Sequence, residues 1–403
     1  MKDISFLKKI VFYISFPLYF VDFMFPIMAI NFGSSALDLG ILFSTLSILS
    51  LFVKPLIGKF IDRKGSSKSI ILGSILYVIT LLLLYLCRSY EMLLLCSVFK
   101  SVSCSFIWIG IDNIVIGSST SDNISANSGK IEKWNTSGSM IGSFIGFMLF
   151  LNKIVNDFNS IFLIYIIFIL ISLVFTFKTL HNFQYNLENV SSKEFKNIKT
   201  KKLNFFSSLK SFNKCTPKLK LYCIILFISA FGGNMFSPVF LSYLGEKLNY
   251  DYFMISYLYL PGTFICMAFA DKLGTIIDKI SKKKIILLST FATIVYWIVF
   301  PNIDSFYPLL ILYTLIGVIY LCASLAVSSI RRDLVENQNK GTKVGFMSLF
   351  SGIGATLGSL IGGALYDFTG IMTIIICIIT ISILKFLLYI KFFKTTSEKA
   401  SFE

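Results

Sequence analysis

The sequence predicts an all-α membrane protein of twelve transmembrane helices in two pseudo-symmetric six-helix bundles. Three observations predict this: the composition, a succession of long apolar runs, and a repeat at one fixed offset. Hydrophobic residues form 55% of the 403-residue chain and charged residues only 14%, with a mean hydropathy of +0.78. Soluble domains carry about 25% charge, so too few charges remain here to clothe a water-facing surface. That excludes a soluble enzyme, a disordered chain and a secreted disulfide module.

A membrane helix needs ~20 mostly apolar residues. Twelve runs qualify: 10–31, 37–57, 69–87, 92–116, 134–152, 159–178, 219–243, 252–273, 284–301, 306–330, 344–366 and 370–391. Barrel strands would alternate polar and apolar residues. Stretches such as Ile161 to Phe177 do not alternate, so the runs are helices.

The basic residues set the orientation. The net charge is +16, and Lys and Arg gather in the loops on one side of the segments. The opposite loops carry only Arg88, Lys153 and Lys247, beside acids such as Asp38, Asp157, Asp251 and Asp304. Cytoplasmic loops retain positive charge, so both termini are expected in the cytoplasm and the charge is not a nucleic-acid footprint. The first apolar run lacks a small-residue cleavage site and is expected to stay as a membrane helix. Residues 1–178 then form the N-terminal bundle, 179–218 a basic cytoplasmic linker attracted to anionic lipid headgroups, and 219–403 the C-terminal bundle.

Several chemistries are absent from the sequence. The eight Cys contain no CxxC pair, and His181 alone cannot build a metal site. Gly129-Lys130 is followed by Ile131 and has Ile124 where a phosphate-binding loop needs its first Gly, so no ATPase motif is present. Neither HExxH nor GxSxG occurs. No cofactor, metal or catalytic residue is expected.

Two patterns recur at an offset of 216 residues. Gly58-x-x-x-Asp62-Arg63-x-Gly65-x-x-Lys68 returns as Gly274-x-x-x-Asp278-Lys279-x-Ser281 followed by three lysines. Gly129, Gly138, Gly142, Ser143 and Gly146 return as Gly345, Gly354, Gly358, Ser359 and Gly362. Two unrelated patterns with one offset argue for a duplicated six-helix unit.

On these residues the chain resembles the major facilitator superfamily over nearly its whole length. The first pattern is similar to that superfamily's G-x-x-x-D-R-x-G-R-R loop, with Ser66 and Ser67 in place of the basic pair. The second resembles the fifth-helix motif of the drug/proton antiporter branch, with Ser143 replacing its Pro and Phe147 its final Gly. Lys100 falls where that branch carries a fourth-helix Arg. The resemblance implies a conformational latch at Gly58, Asp62, Arg63 and Gly65, repeated at Gly274, Asp278 and Lys279. In that latch Asp62 meets the start of the eleventh helix near Thr342 and Arg63 pairs with Asp112. Gly58 is expected to allow close helix approach and Gly65 a tight turn. The ladders Gly138, Gly142, Gly146 and Gly354, Gly358, Gly362 present smooth faces for helix packing.

Few charges lie at membrane depth, where each costs ~2.5–3.5 kcal/mol on insertion scales. Asp22 in the first helix and Lys100 in the fourth fall within about one turn of each other in depth. Burial favours a neutral carboxyl and a neighbouring ammonium favours a charged one, so this pair is the candidate proton or substrate site. Tyr19, Trp108, Asn234 and Tyr320 are candidate cavity residues, with Gly232-Gly233-Asn234 and Pro261-Gly262 read as helix irregularities. Lys54, Asp271 and Lys385 are read as snorkelling to the membrane surface.

These features point to a monomeric secondary transporter of the cell membrane, working by alternating access. Proton-coupled efflux of small amphipathic or cationic compounds is the leading expectation. Uptake of a sugar, amino acid or organic anion is the second. A transporter-like sensor or scaffold that moves nothing is the third. The expected partners are a small-molecule substrate, protons and membrane lipids, and no nucleic acid.

Overall fold

The computed structural model describes residues 7–118, 124–151, 159–191, 216–248, 254–255, 257–335 and 340–400. The side chains of Asp62, Asp271 and Asp278 lie outside the described set. Among the described residues fourteen α-helices make twelve crossings. The first crossing is split into α1 (Leu7–Ser15) and α2 (Leu18–Asn31). It is followed by α3 (Ala36–Lys64), α4 (Ser66–Leu86), α5 (Tyr90–Ser118), α6 (Ile124–Leu151) and α7 (Asn159–Ser191). The seventh crossing is split into α8 (Pro217–Met235) and α9 (Phe240–Leu248). Then come α10 (Tyr259–Lys279), α11 (Lys282–Val299), α12 (Phe306–Val335), α13 (Lys340–Thr369) and α14 (Ile371–Ala400). The lysine-rich ends of these helices share one side, here the basic side; the other is the far side.

Local chemistry places the breaks and ends. Pro17 has no N–H to continue the ladder, so α1 stops at Ser15 and the helix resumes at Leu18. The carbonyl of Ser15, at the end of α1, accepts from the Ser139 hydroxyl of α6. Ser35 caps α3 reciprocally: its hydroxyl accepts from the Asp38 N–H, and the Asp38 carboxylate accepts from the Ser35 N–H at 2.9 Å. Gly65 closes α3 with φ +85°, a region that disfavours side chains. Ser281, its counterpart in the repeat, turns with φ −59° and needs no glycine.

Ten crossings are long and apolar enough to span a membrane on composition alone. The other two are α6, whose first half carries Lys130, Glu132 and Lys133, and α10, whose apolar stretch is short. These two pack against each other between the halves, which is why they can be less apolar than helices bathed in lipid. Several helices outrun the apolar segments. The fifth crossing begins at Ile124 instead of 134, the sixth continues to Ser191 and the last to Ala400. Hydropathy marks only the membrane-embedded part, and the backbone stays hydrogen-bonded beyond it.

The halves repeat each other in contacts. In the first, α6 packs on α1 and α2, and α4 on α5 and α7; in the second, α13 packs on α8, and α11 on α12 and α14. The glycine ladder gives this duplication atomic detail. A Cβ at Gly138 or Gly142 would strike the backbone carbonyl of Phe12 or Phe16, and one at Gly146 would meet the Phe20 ring. In the second half Gly354, Gly358 and Gly362 abut the carbonyls of Phe227, Phe231 and Met235. The glycines are offset by 216 residues and their partners by 215.

The halves meet tightly at the far side. A Cβ on Gly40 of α3 would lie 2.7 Å from the Ser359 carbonyl and 3.3 Å from the Gly363 Cα of α13. Asp367 accepts a hydrogen bond from the Leu37 N–H across this seam at 2.8 Å. One apolar cluster runs from the first half into Phe236, Val239, Trp297 and Phe300 of the second, whereas a separate cluster around Tyr222, Ile277 and Tyr389 stays within the basic side of the second half. Toward the basic side the seam parts. Gly352 still meets Leu51, but a Cβ on Gly58 would find nothing within 4 Å.

Candidate functional site

The Asp22 carboxylate of α2 and the Lys100 ammonium of α5 form a direct ion pair. Lys100 also stands over the Phe25 ring at 4.8 Å, a cation–π contact that helps compensate its burial. The two partners are unequally covered: the Lys100 side chain is 8% exposed and that of Asp22 57%. The carboxylate is open and acts on Tyr259 of the second half, whereas the ammonium is packed beneath it.

Aromatic rings close the space between the halves toward the far side. Phe23 meets Tyr259 of the second half edge-on at 6.3 Å, Tyr259 meets Tyr313 at 5.2 Å, and Phe240 packs on both. Tyr19 lies within electrostatic reach of Asp22 and Glu132, with its hydroxyl beside Thr136. Tyr320 is 45% exposed and its hydroxyl reaches Thr293 and Trp297 of α11.

A second charged layer lies nearer the basic side. Asp112 of α5 has Arg331 of α12 and Lys54 of α3 as its electrostatic neighbours, so this layer spans both halves. Lys54 thus faces charged groups across the seam, where snorkelling was expected. Glu132 of α6 adds a further acid, held by the Asn135 amide at 3.4 Å and close to Asp112 and to Cys266 of α10. Sequence reasoning missed Glu132 because the apolar run was taken to begin at residue 134.

Other expected residues fall differently. Arg63 is exposed and makes no ion pair with Asp112. The two helix ends stay close, with Asn113 donating to the Ser66 hydroxyl at 2.8 Å, but the electrostatic neighbours of Asp112 are Arg331 and Lys54 instead. Gly58 likewise makes no close approach in this conformation. Gly274 is buried and Lys279 exposed at the end of α10. Asn234 donates back to the Ala230 carbonyl of its own helix at 2.7 Å, and α8 runs unbroken through Gly232 and Gly233. The break comes at Phe236–Val239, beside Pro238. Pro261 sits in the first turn of α10, where a missing N–H costs nothing. Trp108 packs against the apolar cluster that joins the halves. Lys385 is half-buried in α14, on the helix face that also buries Ser382 and Tyr389.

The family profile of the Major Facilitator Superfamily matches residues 10–300 and 222–403. The chain belongs to that superfamily. It is a transporter, not an enzyme, and a multi-pass integral membrane protein. Among curated relatives, Multidrug resistance protein 2 of Bacillus subtilis (strain 168) is 23% identical over 336 residues, covering 83% of this chain and 81% of the relative. Multidrug resistance protein 1 of the same organism is 23% identical over 341 residues, with 83% and 82% covered. Two solved members of the superfamily's fold align over nearly the whole chain. The human organic anion transporter MFSD10 (TETRAN) has a TM-score of 0.65 at 16% identity, covering 95% of this chain and 97% of its own. The nucleoside transporter NupG (D323A mutant) has a TM-score of 0.67 at 15% identity, covering 96% and 98%. At such identities the structures speak for the fold alone.

Proposed function

We propose that this superfamily member exports small amphipathic cations from the cytoplasm in exchange for protons, by alternating access between its two halves. The observation that carries the reading is the Asp22–Lys100 pair, whose carboxylate opens onto the space between the halves while its partner is buried. A proton arriving on Asp22 releases Lys100, and the pair re-forms when the proton leaves, so protonation is tied to contact between α2 and α5. The aromatic walls of Phe23, Tyr259 and Tyr313 suit flat or bulky apolar groups. Two multidrug resistance proteins among the curated relatives support the direction.

In this reading the basic side is cytoplasmic, both termini lie there, and the protein works as a monomer in the cell membrane. The halves 1–178 and 219–403 rock about the cavity, with the basic linker 179–218 resting on anionic lipid. The Gly58–Gly65 end of α3, with Asp62, engages α13 when the basic side closes, which is the state opposite to the one described above.

Lys54 and Arg331 favour one other reading, uptake of an organic anion, because two cations surround Asp112 on the basic side of the cavity. Transport into inside-out vesicles decides between them. Export predicts accumulation of a lipophilic cation when the vesicle lumen is acid, abolished by a protonophore. Accumulation of an organic anion in right-side-out vesicles, with no cation movement, would replace export by uptake.

A further inference from the structure

An open groove of about 430 Å³ lies between α11 and α14 of the second half. It is lined by Lys284, Leu287, Leu288 and Phe291 of α11 and by Phe386 of α14. Leu288 is 70% exposed and Phe291 54%. Both walls belong to helices apolar enough to span a membrane. From Lys284 to Phe291 the α11 wall advances about 10 Å, so the groove starts at the basic side and runs toward the membrane interior. The charge at its mouth has one sign. α11 begins Lys282-Lys283-Lys284, with no acid in its first turn and no side-chain cap from Ser281. Lys283 and Lys284 are exposed, and α14 continues past Phe386 to the exposed Lys391 and Lys394, with no Asp or Glu from Ile371 to Lys394. The duplicated half shows that the fold does not require this charge. At the 216-residue offset Ser66 and Ser67 stand where α11 has Lys282 and Lys283, and Ser66 there accepts from the Asn113 amide.

We propose that this groove binds one molecule of an anionic glycerophospholipid, with the phosphate against Lys283 and Lys284 and one acyl chain along Leu288, Phe291 and Phe386. Lipid tails are as apolar as leucine, so the shape of the groove alone gives no preference among lipids. Lysines at headgroup level supply the preference, because they attract acidic headgroups and not zwitterionic ones. The occupant must be apolar over about 10 Å and anionic at one end, which is the chemistry of an acidic phospholipid and not of a soluble anion. Once seated, it fills the crease between α11 and α14 and braces the two helices together. The site is separate from the Asp22–Lys100 pair and holds whichever direction the substrate moves.

The test titrates the full chain in detergent with phosphatidylglycerol or phosphatidylcholine of the same acyl chains, read by native mass spectrometry. The Lys283→Gln, Lys284→Gln pair should weaken the tightest phosphatidylglycerol by about tenfold and leave phosphatidylcholine unchanged. The corresponding Lys→Arg pair should keep the affinity. Leu288→Trp, which fills the groove and leaves the lysines in place, should weaken phosphatidylglycerol as well. In the unaltered protein, phosphatidylglycerol carrying a diazirine on its acyl chain should crosslink within residues 287–291 and at Phe386, so the site stays testable if a variant fails to fold. Equal phosphatidylglycerol affinity in the Lys→Gln pair overturns the headgroup seat, and equal affinity in Leu288→Trp overturns the acyl seat. Crosslinks spread over the apolar helices, the same for both lipids, would mean bulk lipid only and overturn the site. Displacement of the lipid by soluble glycerol phosphate would replace it with a simple phosphate site.

Discussion

Lys100 is buried against Phe25 and donates to Asp22, whose own side chain is more than half exposed to the space between the halves. The dependence runs one way. Lys100 needs the carboxylate to be tolerated at depth, whereas Asp22 is reachable by solvent and substrate. Asp22→Asn should therefore abolish gradient-driven transport, because a fixed neutral side chain cannot alternate between two charge states. It should also destabilise the fold by roughly 2 kcal/mol, less than the 3–5 kcal/mol for a fully buried pair because Asp22 is exposed. Lys100→Met should restore that stability in the Asp22→Asn background without restoring transport. Thermal unfolding in detergent, paired with vesicle uptake, checks both. Full transport by Asp22→Asn would reduce the pair to a helix-docking contact.

The glycines of the second and fifth crossings should respond in opposite directions. Gly142→Ala forces a methyl into the Phe16 carbonyl, an overpacking cost of about 1–3 kcal/mol. Gly358→Ala should do the same against Phe231. Gly58→Ala meets open space here and gains helix propensity, so its melting temperature should hold or rise, by up to ~1 kcal/mol of stability. Its turnover should nevertheless fall if the basic side closes by bringing Gly58 against α13. Equal destabilisation by Gly58→Ala and Gly142→Ala would contradict the parted seam.

Asp367 bridges the halves at the far side through the Leu37 N–H. A carboxylate at a helix start is worth about 0.3–1 kcal/mol when exposed, so Asp367→Asn should shift the open-to-closed ratio of that seam by roughly two- to fivefold. A cysteine replacing Ala36, buried in the seam, should then react faster with maleimide. An unaltered rate would mean that the glycine contacts alone hold the far side shut.

Orientation is checked by two exposed positions on opposite sides. Glu91→Cys on the far side should label in intact cells with a membrane-impermeant maleimide, and Lys283→Cys should not. Reversed labelling would invert the topology and, with it, the direction of export.

The crossings were legible because lipid demands long apolar runs, and the duplication because glycines tolerate no substitute at a carbonyl contact. Gly142 and Gly358 could be paired from spacing alone. Asp22 and Lys100 were legible for a related reason, since charges at depth are rare enough to seek each other. Glu132 was hidden because hydropathy stops where a helix turns polar, although α6 continues. The partners of Asp112 were hidden for another reason. They depend on which side of the molecule is open, and a sequence carries no record of the state. The break at Pro17 was there to be read, and an apolar run was counted through it.

The glycine contacts have a consequence for how such a protein can change over generations. Each ladder glycine is tied to one residue type, but, Gly146 excepted, its partner contributes only a carbonyl. Met235 offers its carbonyl to Gly362, whereas Phe20, at the matching place in the first half, offers its ring to Gly146. Side chains at Phe12, Phe16 and along α8 are thus free to drift while the joint beneath them keeps its register. A lineage can rewrite what the cavity accepts without having to reinvent the machine that moves it.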